Sequence, residues 1–317
     1  MKRIYYNLGC KDELSEICPR GAVYALGFFD GVHLAHRALI NEARAIADEL
    51  DLPLGVFTFS SESPGIKPGA ERIYSTEDKL SVIEGLGVHF AVICNFEELR
   101  GLAPVEFAEL LCVELRLRCG VCGFNFRFGK GALGDSEELC RLFSQRGCSC
   151  KVIDEISLLE ASVSASRIRE LIKMKKPAEA AKLLGLPYFV CGEVIHGRGQ
   201  GRDFGFPTIN TDFEDGALIP HDGVYLTAVK IGERIFTGIT NVGMCPTFGC
   251  KTRHAETYII DFTGDLYGST VKIHFVEFLR DERVFGSTEE LKEQLKKDCE
   301  RAKSLASEEL WQEIGLK

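Results

Sequence analysis

Two histidines three residues apart, His33 and His36, follow Gly27-Phe28-Phe29-Asp30-Gly31-Val32 where an apolar run gives way to a helical pattern. At that spacing on a helix, two side chains point the same way. The helix N-terminus adds free N–H groups and a positive potential, so the junction suits a phosphate. Donors fixed there in advance can stabilise charge developing on a transferring phosphate and a departing pyrophosphate. A metal pair or two exposed turn histidines are the other uses of such a pattern, and no third ligand lies nearby in sequence.

Three further groups of residues carry chemistry. In Val163-Ser164-Ala165-Ser166-Arg167-Ile168-Arg169 the hydroxyls of Ser164 and Ser166 and the guanidinium of Arg169 enter a helix as phosphate donors. Gly197-x-Gly199-x-Gly201 lacks the spacing and the following helix of a dinucleotide fingerprint. Its glycines instead let backbone approach a phosphate closely, with Arg198 or Arg202 supplying charge. Downstream, Thr208 and Asn210 alternate with Ile209, so both oxygens face one side of an extended segment. Two neutral oxygen ligands suit a Mg²⁺ that completes its shell from ATP phosphates and water. Glu256 stands alone in a strand of aromatic and β-branched residues, where a carboxylate usually faces solvent.

These residues need elements to position them. Ala22–Phe28, Leu54–Phe59, Val88–Ile93 and Gly120–Phe124 read as strands, alternating with helical patterns. Leu34, Leu39, Ala43, Ile46, Ala47 and Leu50 make one apolar helical face; Ser75 with Asp78, and Ser136 with Leu139 and Leu142, mark two more helix starts. Such alternation predicts a parallel sheet with helices on both faces. A short helix from Lys176-Pro177 to Gly185 follows. Then Tyr188–His196, Val224–Ile231, Arg234–Asn241, His254–Phe262 and Thr270–Leu279 run as strands without helices between them, which predicts an antiparallel sheet or barrel. Ser287 and Glu290 open a last helix, with Leu291, Leu295, Cys299 and Ala302 as its buried stripe. The boundary falls near residues 183–188.

Length and composition agree with two domains: 317 residues, 45% hydrophobic and 27% charged. A net charge of −9 argues against general binding to nucleic acid or an anionic membrane. Met1 to Arg20 has no apolar leader segment and no run approaches a membrane span, which points to the cytoplasm. Thirteen scattered cysteines read as reduced thiols acting as small hydrophobes. Cys119-x-x-Cys122 with Cys148-x-Cys150 is the one grouping with a possible zinc pattern, set against a strand-like run in which alternate residues face opposite ways.

The run Phe28-Phe29-Asp30-Gly31-Val32-His33-x-x-His36 resembles the signature of bacterial bifunctional riboflavin kinase/FAD synthetases. Thr58-Phe59, Gly123-Phe124-Asn125-Phe126-Arg127-Phe128-Gly129-Lys130-Gly131 and the Ser164–Arg169 segment match the family in order. So do Phe206-Pro207-Thr208-Ile209-Asn210, Asn241-Val242-Gly243-x-x-Pro246-Thr247-Phe248 and His254-Ala255-Glu256-Thr257-Tyr258. The resemblance implies a Rossmann-like nucleotidyltransferase domain with a parallel sheet (α/β) over residues 1–184. Over residues 185–317 it implies a six-stranded antiparallel β-barrel of riboflavin-kinase type with a C-terminal helix. It implies riboflavin, FMN and ATP as substrates, Mg²⁺ with ATP, and FMN and FAD as substrate and product rather than prosthetic groups. By the same resemblance His33 and His36 are catalytic in adenylyl transfer, and Gly27, Phe28, Asp30, Ser164, Ser166 and Arg169 bind nucleotide, as do Gly197, Gly199 and Gly201 in the kinase half. Asn125 binds flavin, Thr208 and Asn210 hold the metal, and Glu256 is the base towards the ribityl 5′-hydroxyl. The chain departs from the family pattern in its first half: Ala35 replaces the glycine between the histidines, and Ser60-Ser61-Glu62-Ser63-Pro64 replaces Asp-x-His-Pro. The alternative is a riboflavin kinase whose first domain no longer adenylylates.

Overall fold

The computed structural model describes residues 1–6, 11–63, 71–158, 161–197, 201, 205–244 and 253–316. The chain divides into two compact units, Met1–Ala165 and Ser166–Lys317.

In the first unit, strands β1 (Lys2–Tyr6), β2 (Ala22–Leu26), β3 (Leu54–Phe59), β4 (Phe90–Cys94), β5 (Leu117–Gly123) and β6 (Ser149–Ile153) form one sheet in the order β1-β4-β3-β2-β5-β6. Every pairing is parallel. Helices α1 (Lys11–Ile17), α2 (Leu34–Leu50), α3 (Thr76–Glu84), α4 (Phe96–Leu99), α5 (Pro104–Glu109) and α6 (Ser136–Ser144) connect them, and a two-stranded ribbon of β7 (Ser157–Leu158) and β8 (Ala161–Ser162) follows. β2 and β4 are buried along their whole length, as strands covered on both faces must be. One core packs Tyr24, Phe90 and Phe143, and a second packs Val23 and Val56 against Leu39, Ile40 and Ala43 of α2.

The helix ends follow the expected signals with one change. Ser75 caps α3 by accepting from the Asp78 N–H at 3.1 Å. At α6 the cap is Asp135, which accepts from the Glu138 N–H at 2.9 Å, while Ser136 donates to the Phe124 carbonyl. A carboxylate at the cap also meets the positive helix end, so Asp135 serves better than the serine after it.

The second unit opens with α7 (Ala165–Lys173), whose first residue closes the first unit, and α8 (Pro177–Leu184), which has Pro at its first turn and Gly185 in the left-handed region (φ 75°) at its end. A closed antiparallel barrel follows, in the order β10-β13-β12-β11-β14-β9. Its strands are β9 (Phe189–Ile195), β10 (Thr208–Phe213), β11 (Gly223–Ile231), β12 (Arg234–Met244), β13 (Arg253–Ile259) and β14 (Thr270–Arg280). Closure removes the edges that an open sheet of this kind would expose. Inside, Thr227, Thr240 and Thr257 are fully buried and hydrogen-bonded in a row, 2.9 Å at each step, so their hydroxyls satisfy one another. Helices α9 (Thr288–Leu305) and α10 (Glu308–Glu313) complete the unit.

His274 on β14 is buried beside Phe189. Burial, and then the nearby Lys272 charge, push its imidazole down to about 3. Above the unfolded value of about 6.5 both states are neutral and nothing is lost. As pH falls from there towards 3, the unfolded chain takes up a proton that the folded chain refuses, so stability falls across that window. At roughly 1.4 kcal/mol per pH unit, the barrel unit should lose about 2 kcal/mol between pH 6.5 and pH 5. Urea unfolding followed by fluorescence of the single tryptophan, Trp311, buried in this unit, reads the loss. His274→Leu should remove that slope; an unchanged slope would assign the acid sensitivity to other groups.

Candidate functional sites

In the first unit the order of strands reverses at β2: β3 and β4 lie to one side of it, β5 and β6 to the other. The crevice at the C-terminal ends of strands at such a switch point is the usual ligand site of an open α/β sheet. Gly27–His36 emerges from β2 there, and the Asn125 turn emerges from its neighbour β5.

The turn is strained. Phe29 (φ 55°), Gly31 (φ 85°) and Val32 (φ 44°) all lie in the left-handed region, which a β-branched valine rarely visits. Residues held this way cost on the order of 1–3 kcal/mol each and persist only where their surroundings over-determine them. Phe29 and Val32 are fully buried. Asp30, also buried, accepts from the Ile73 N–H at 3.2 Å, and Arg37 Nε donates to the Val32 carbonyl at 3.2 Å. The Phe28 carbonyl accepts from Thr58 Oγ1 at 3.0 Å and from Lys79 Nζ at 3.1 Å. α2 then starts from His33 as its N-cap residue. The two imidazoles stack, with centroids 3.7 Å apart and planes 15° apart, and the Phe29 ring meets His36 edge-on at 5.1 Å. The structure thus brings together His33, His36 and the first turn of a seventeen-residue helix. Ala35 sits half-buried in that first turn, and Asn125 is exposed. Ser164 belongs to the first unit, while Ser166 and Arg169 lie on α7 in the second.

Lys79 was not singled out by the sequence, although it left a signal. It occupies the apolar stripe of α3 formed with Thr76, Leu80 and Ile83, where a lysine must be buried or the stripe interrupted. Ser60 and Thr76 hold the Glu62 carboxylate; burial pushes it up, and these hydrogen bonds outweigh that and bring it below the ordinary range.

In the barrel, Asn210 of β10 lies directly opposite Glu256 of β13, and Glu256 directly opposite Asn241 of β12. Directly paired residues project to the same face, so the three form one row across three strands. Thr208 lies two residues along β10 from Asn210 on the same face, opposite Tyr258. Thr257, next to Glu256, points into the threonine row inside the barrel, which puts Glu256 on the outer face. α9 roofs that face and leaves a cavity of about 310 Å³, within the range of small-ligand pockets. Thr208, Asn241, Glu256 and Tyr258 line its floor; Leu291, Leu295 and Cys299 line its roof. These three helix residues were expected in a buried stripe and are only half-buried, because they face the cavity.

The roof is pinned at one end by Arg280 of β14, whose Nε and Nη2 both reach the buried Asp298 carboxylate of α9 at 2.7–3.1 Å. Gln294 donates to the same carboxylate at 2.9 Å. On the floor, Asn241 Nδ2 donates to Glu282 at 3.0 Å. A side chain at Gly197 would come within 2.0 Å of the Asn210 amide, and one at Gly201 within 2.3 Å of the Phe206 carbonyl. Gly201 is therefore demanded by its close approach to backbone, whereas a side chain at Gly197 would require the Asn210 amide to shift. Gly199, Arg198, Arg202 and the Pro246-Thr247-Phe248 run lie outside the described residues. Among the described residues no group of three or more His, Cys, Asp or Glu is placed to hold a metal ion. Neutral oxygens alternating on one strand beside a carboxylate remain a fit for Mg²⁺, which prefers hard oxygen ligands and keeps much of its shell for phosphate and water.

The FAD synthetase family profile matches residues 15–167 and the riboflavin kinase profile residues 184–306. A Bacillus subtilis protein described as bifunctional riboflavin kinase/FMN adenylyltransferase is 34% identical over 290 residues, covering 89% of this chain and 91% of that one. The chain belongs to this bifunctional family. A Listeria monocytogenes protein of the same description is 33% identical, covering 94% of this chain and 96% of that one. A crystal structure of a Streptococcus pneumoniae chain described as a macrolide-efflux protein superposes with a TM-score of 0.85 at 30% identity, covering 96% of this chain and 99% of that one. Among the described residues, no helix is long and apolar enough to cross a membrane. With both profiles matched in one chain, this transferase has a kinase half and an FAD synthetase half, which favours two activities over a kinase alone.

Proposed function

We propose that the two reactions of this bifunctional family run at the two sites described above, riboflavin phosphorylation within residues 185–317 and FMN adenylylation within residues 1–184. The chain converts riboflavin and ATP to FMN and ADP, then FMN and a second ATP to FAD and pyrophosphate. The observation that carries the kinase assignment is that Glu256 and Asn241, in one row with Asn210, line a cavity roofed by Leu291, Leu295 and Cys299. That roof suits a flat flavin ring. Glu256 takes the proton of the ribityl 5′-hydroxyl as its oxygen attacks the γ-phosphorus and ADP departs. Gly197 and Gly201 let backbone N–H groups approach the ATP phosphates. Thr208 and Asn210 would hold Mg²⁺, which when bound neutralises charge on the ATP phosphates.

At the other site, His33, His36 and the N–H groups of the first turn of α2 donate to the α-phosphate and the departing pyrophosphate of ATP while an FMN phosphate oxygen attacks. Gly27, Phe28 and Asp30 shape the turn under the nucleotide, Asn125 meets the flavin, and Ser164 adds a phosphate donor. ATP as donor in both steps fits an enzyme of the cytoplasm.

Thr208→Ala and Asn210→Ala test the metal assignment. Losing one contact to a charged centre costs on the order of 1.5–3 kcal/mol, so each should raise the Mg²⁺ needed for half-maximal kinase rate roughly 10- to 150-fold. FAD formation from supplied FMN should keep its metal dependence. Unchanged kinase metal dependence in both variants would remove these residues from the cation's shell.

A further inference from the structure

Lys79 is fully buried, and its ammonium is surrounded by oxygens drawn from two strand ends. It donates to the Phe28 carbonyl at 3.1 Å, to the Phe59 carbonyl at 2.6 Å and to Thr58 Oγ1 at 3.3 Å, and lies 4.7 Å from the centre of the Phe28 ring. An ammonium has three N–H bonds, and three oxygens receive them. A neutral amine would turn its lone pair towards one of these oxygens and lose that contact. Burial pushes the ammonium down to about 7, against the upward pull of Asp30 from the turn after β2 and Glu62 from the segment after β3.

What Lys79 joins is the strained turn to the rest of the sheet. Phe28 opens the stretch in which Phe29, Gly31 and Val32 take left-handed conformations, and that stretch delivers His33 to the N-cap of α2. Thr58 Oγ1 also donates to the Phe28 carbonyl, so one lysine and one threonine close a bridge between the ends of β2 and β3. We propose that charged Lys79 is a positioning residue for adenylyl transfer, locking the Phe28–Val32 turn to the end of β3 so that His33 and His36 meet the nucleotide phosphates in register. The proposal rests on the assignment of that site to adenylyl transfer. It places Lys79 behind the reacting atoms and not in contact with them.

The test uses the full-length protein and follows FAD formation from supplied FMN and ATP between about pH 6 and about pH 9.5. Loss of register by an ångström costs up to about 10²-fold, so Lys79→Met should lower kcat roughly 30- to 100-fold while KM for ATP and FMN stays within about threefold. The wild-type rate should fall on an alkaline limb as Lys79 loses its proton. That limb should be absent from Lys79→Met and from Lys79→Arg, whose guanidinium keeps its charge throughout the range. Riboflavin phosphorylation by the same preparations should not change. A Lys79→Met kcat within about threefold of wild type overturns the proposal, as does an alkaline limb that survives in the variants. Should Lys79→Met fail to fold, as judged by circular dichroism, the pH profile of Lys79→Arg decides. His33→Ala runs in parallel: if it retains full FAD synthesis, the site assignment is wrong; if it is crippled while Lys79→Met is not, only the role of Lys79 is wrong.

Discussion

Replacing His33 or His36 with alanine is expected to cut FAD formation from FMN by about 10²–10³-fold and to leave riboflavin phosphorylation largely intact. The size follows from what the histidines do. In the proposed role each is a donor held in place before the substrate arrives, stacked on the other at 3.7 Å and set at the start of α2 by a turn that is itself clamped on several sides. A donor of this kind spends nothing on reorganisation when charge moves onto the pyrophosphate, so its loss falls on kcat more than on KM. The fold should survive, because His33 caps α2 through its backbone and makes no side-chain cap hydrogen bond. Assaying FAD from supplied FMN, and FMN from riboflavin, on one preparation checks both halves of the expectation. An equal fall in both activities would show that the two sites are not chemically independent.

Glu256→Gln should lower FMN formation by about 10²-fold or more while FAD formation from supplied FMN continues. The amide keeps the shape of the side chain and its place between Asn210 and Asn241, but it cannot take the proton of the attacking hydroxyl. Glu256 is exposed on the outer barrel face, so the exchange buries no unpaired group and should barely alter stability. Riboflavin phosphorylation near the wild-type rate would remove Glu256 from proton transfer.

The first fold could be read in the sequence because its inner strands are continuous apolar runs: β2, β3 and β4 read within a few residues of where they lie. The edge strands β1 and β6 carry no such run. Lys2–Tyr6 and Ser149–Ile153 bury few of their residues, so polar side chains break the apolar signal that marks a strand. The catalytic candidates were legible where function needs unusual residues close together, as in Phe28–His36 and Thr208–Asn210. Their partners were not. Asn241 joins Glu256 only through the register of β12 on β13, and Arg280 meets Asp298 only when α9 folds back over the barrel. Lys79 reaches Phe28 across 51 positions of sequence. Spacing along a chain carries no information on such contacts until the sheet order is known.

The central claim is that one chain carries two independent sites linked by FMN. Mixing equal amounts of His33→Ala and Glu256→Gln protein with riboflavin, ATP and Mg²⁺, and separating the flavins over time, tests it most directly. Alone, His33→Ala should accumulate FMN with little FAD, and Glu256→Gln should leave riboflavin largely unchanged. Together they should make FAD, because FMN released by the first is adenylylated by the second. Substantial FAD from either variant alone, or none from the mixture although Glu256→Gln converts added FMN, would contradict the claim.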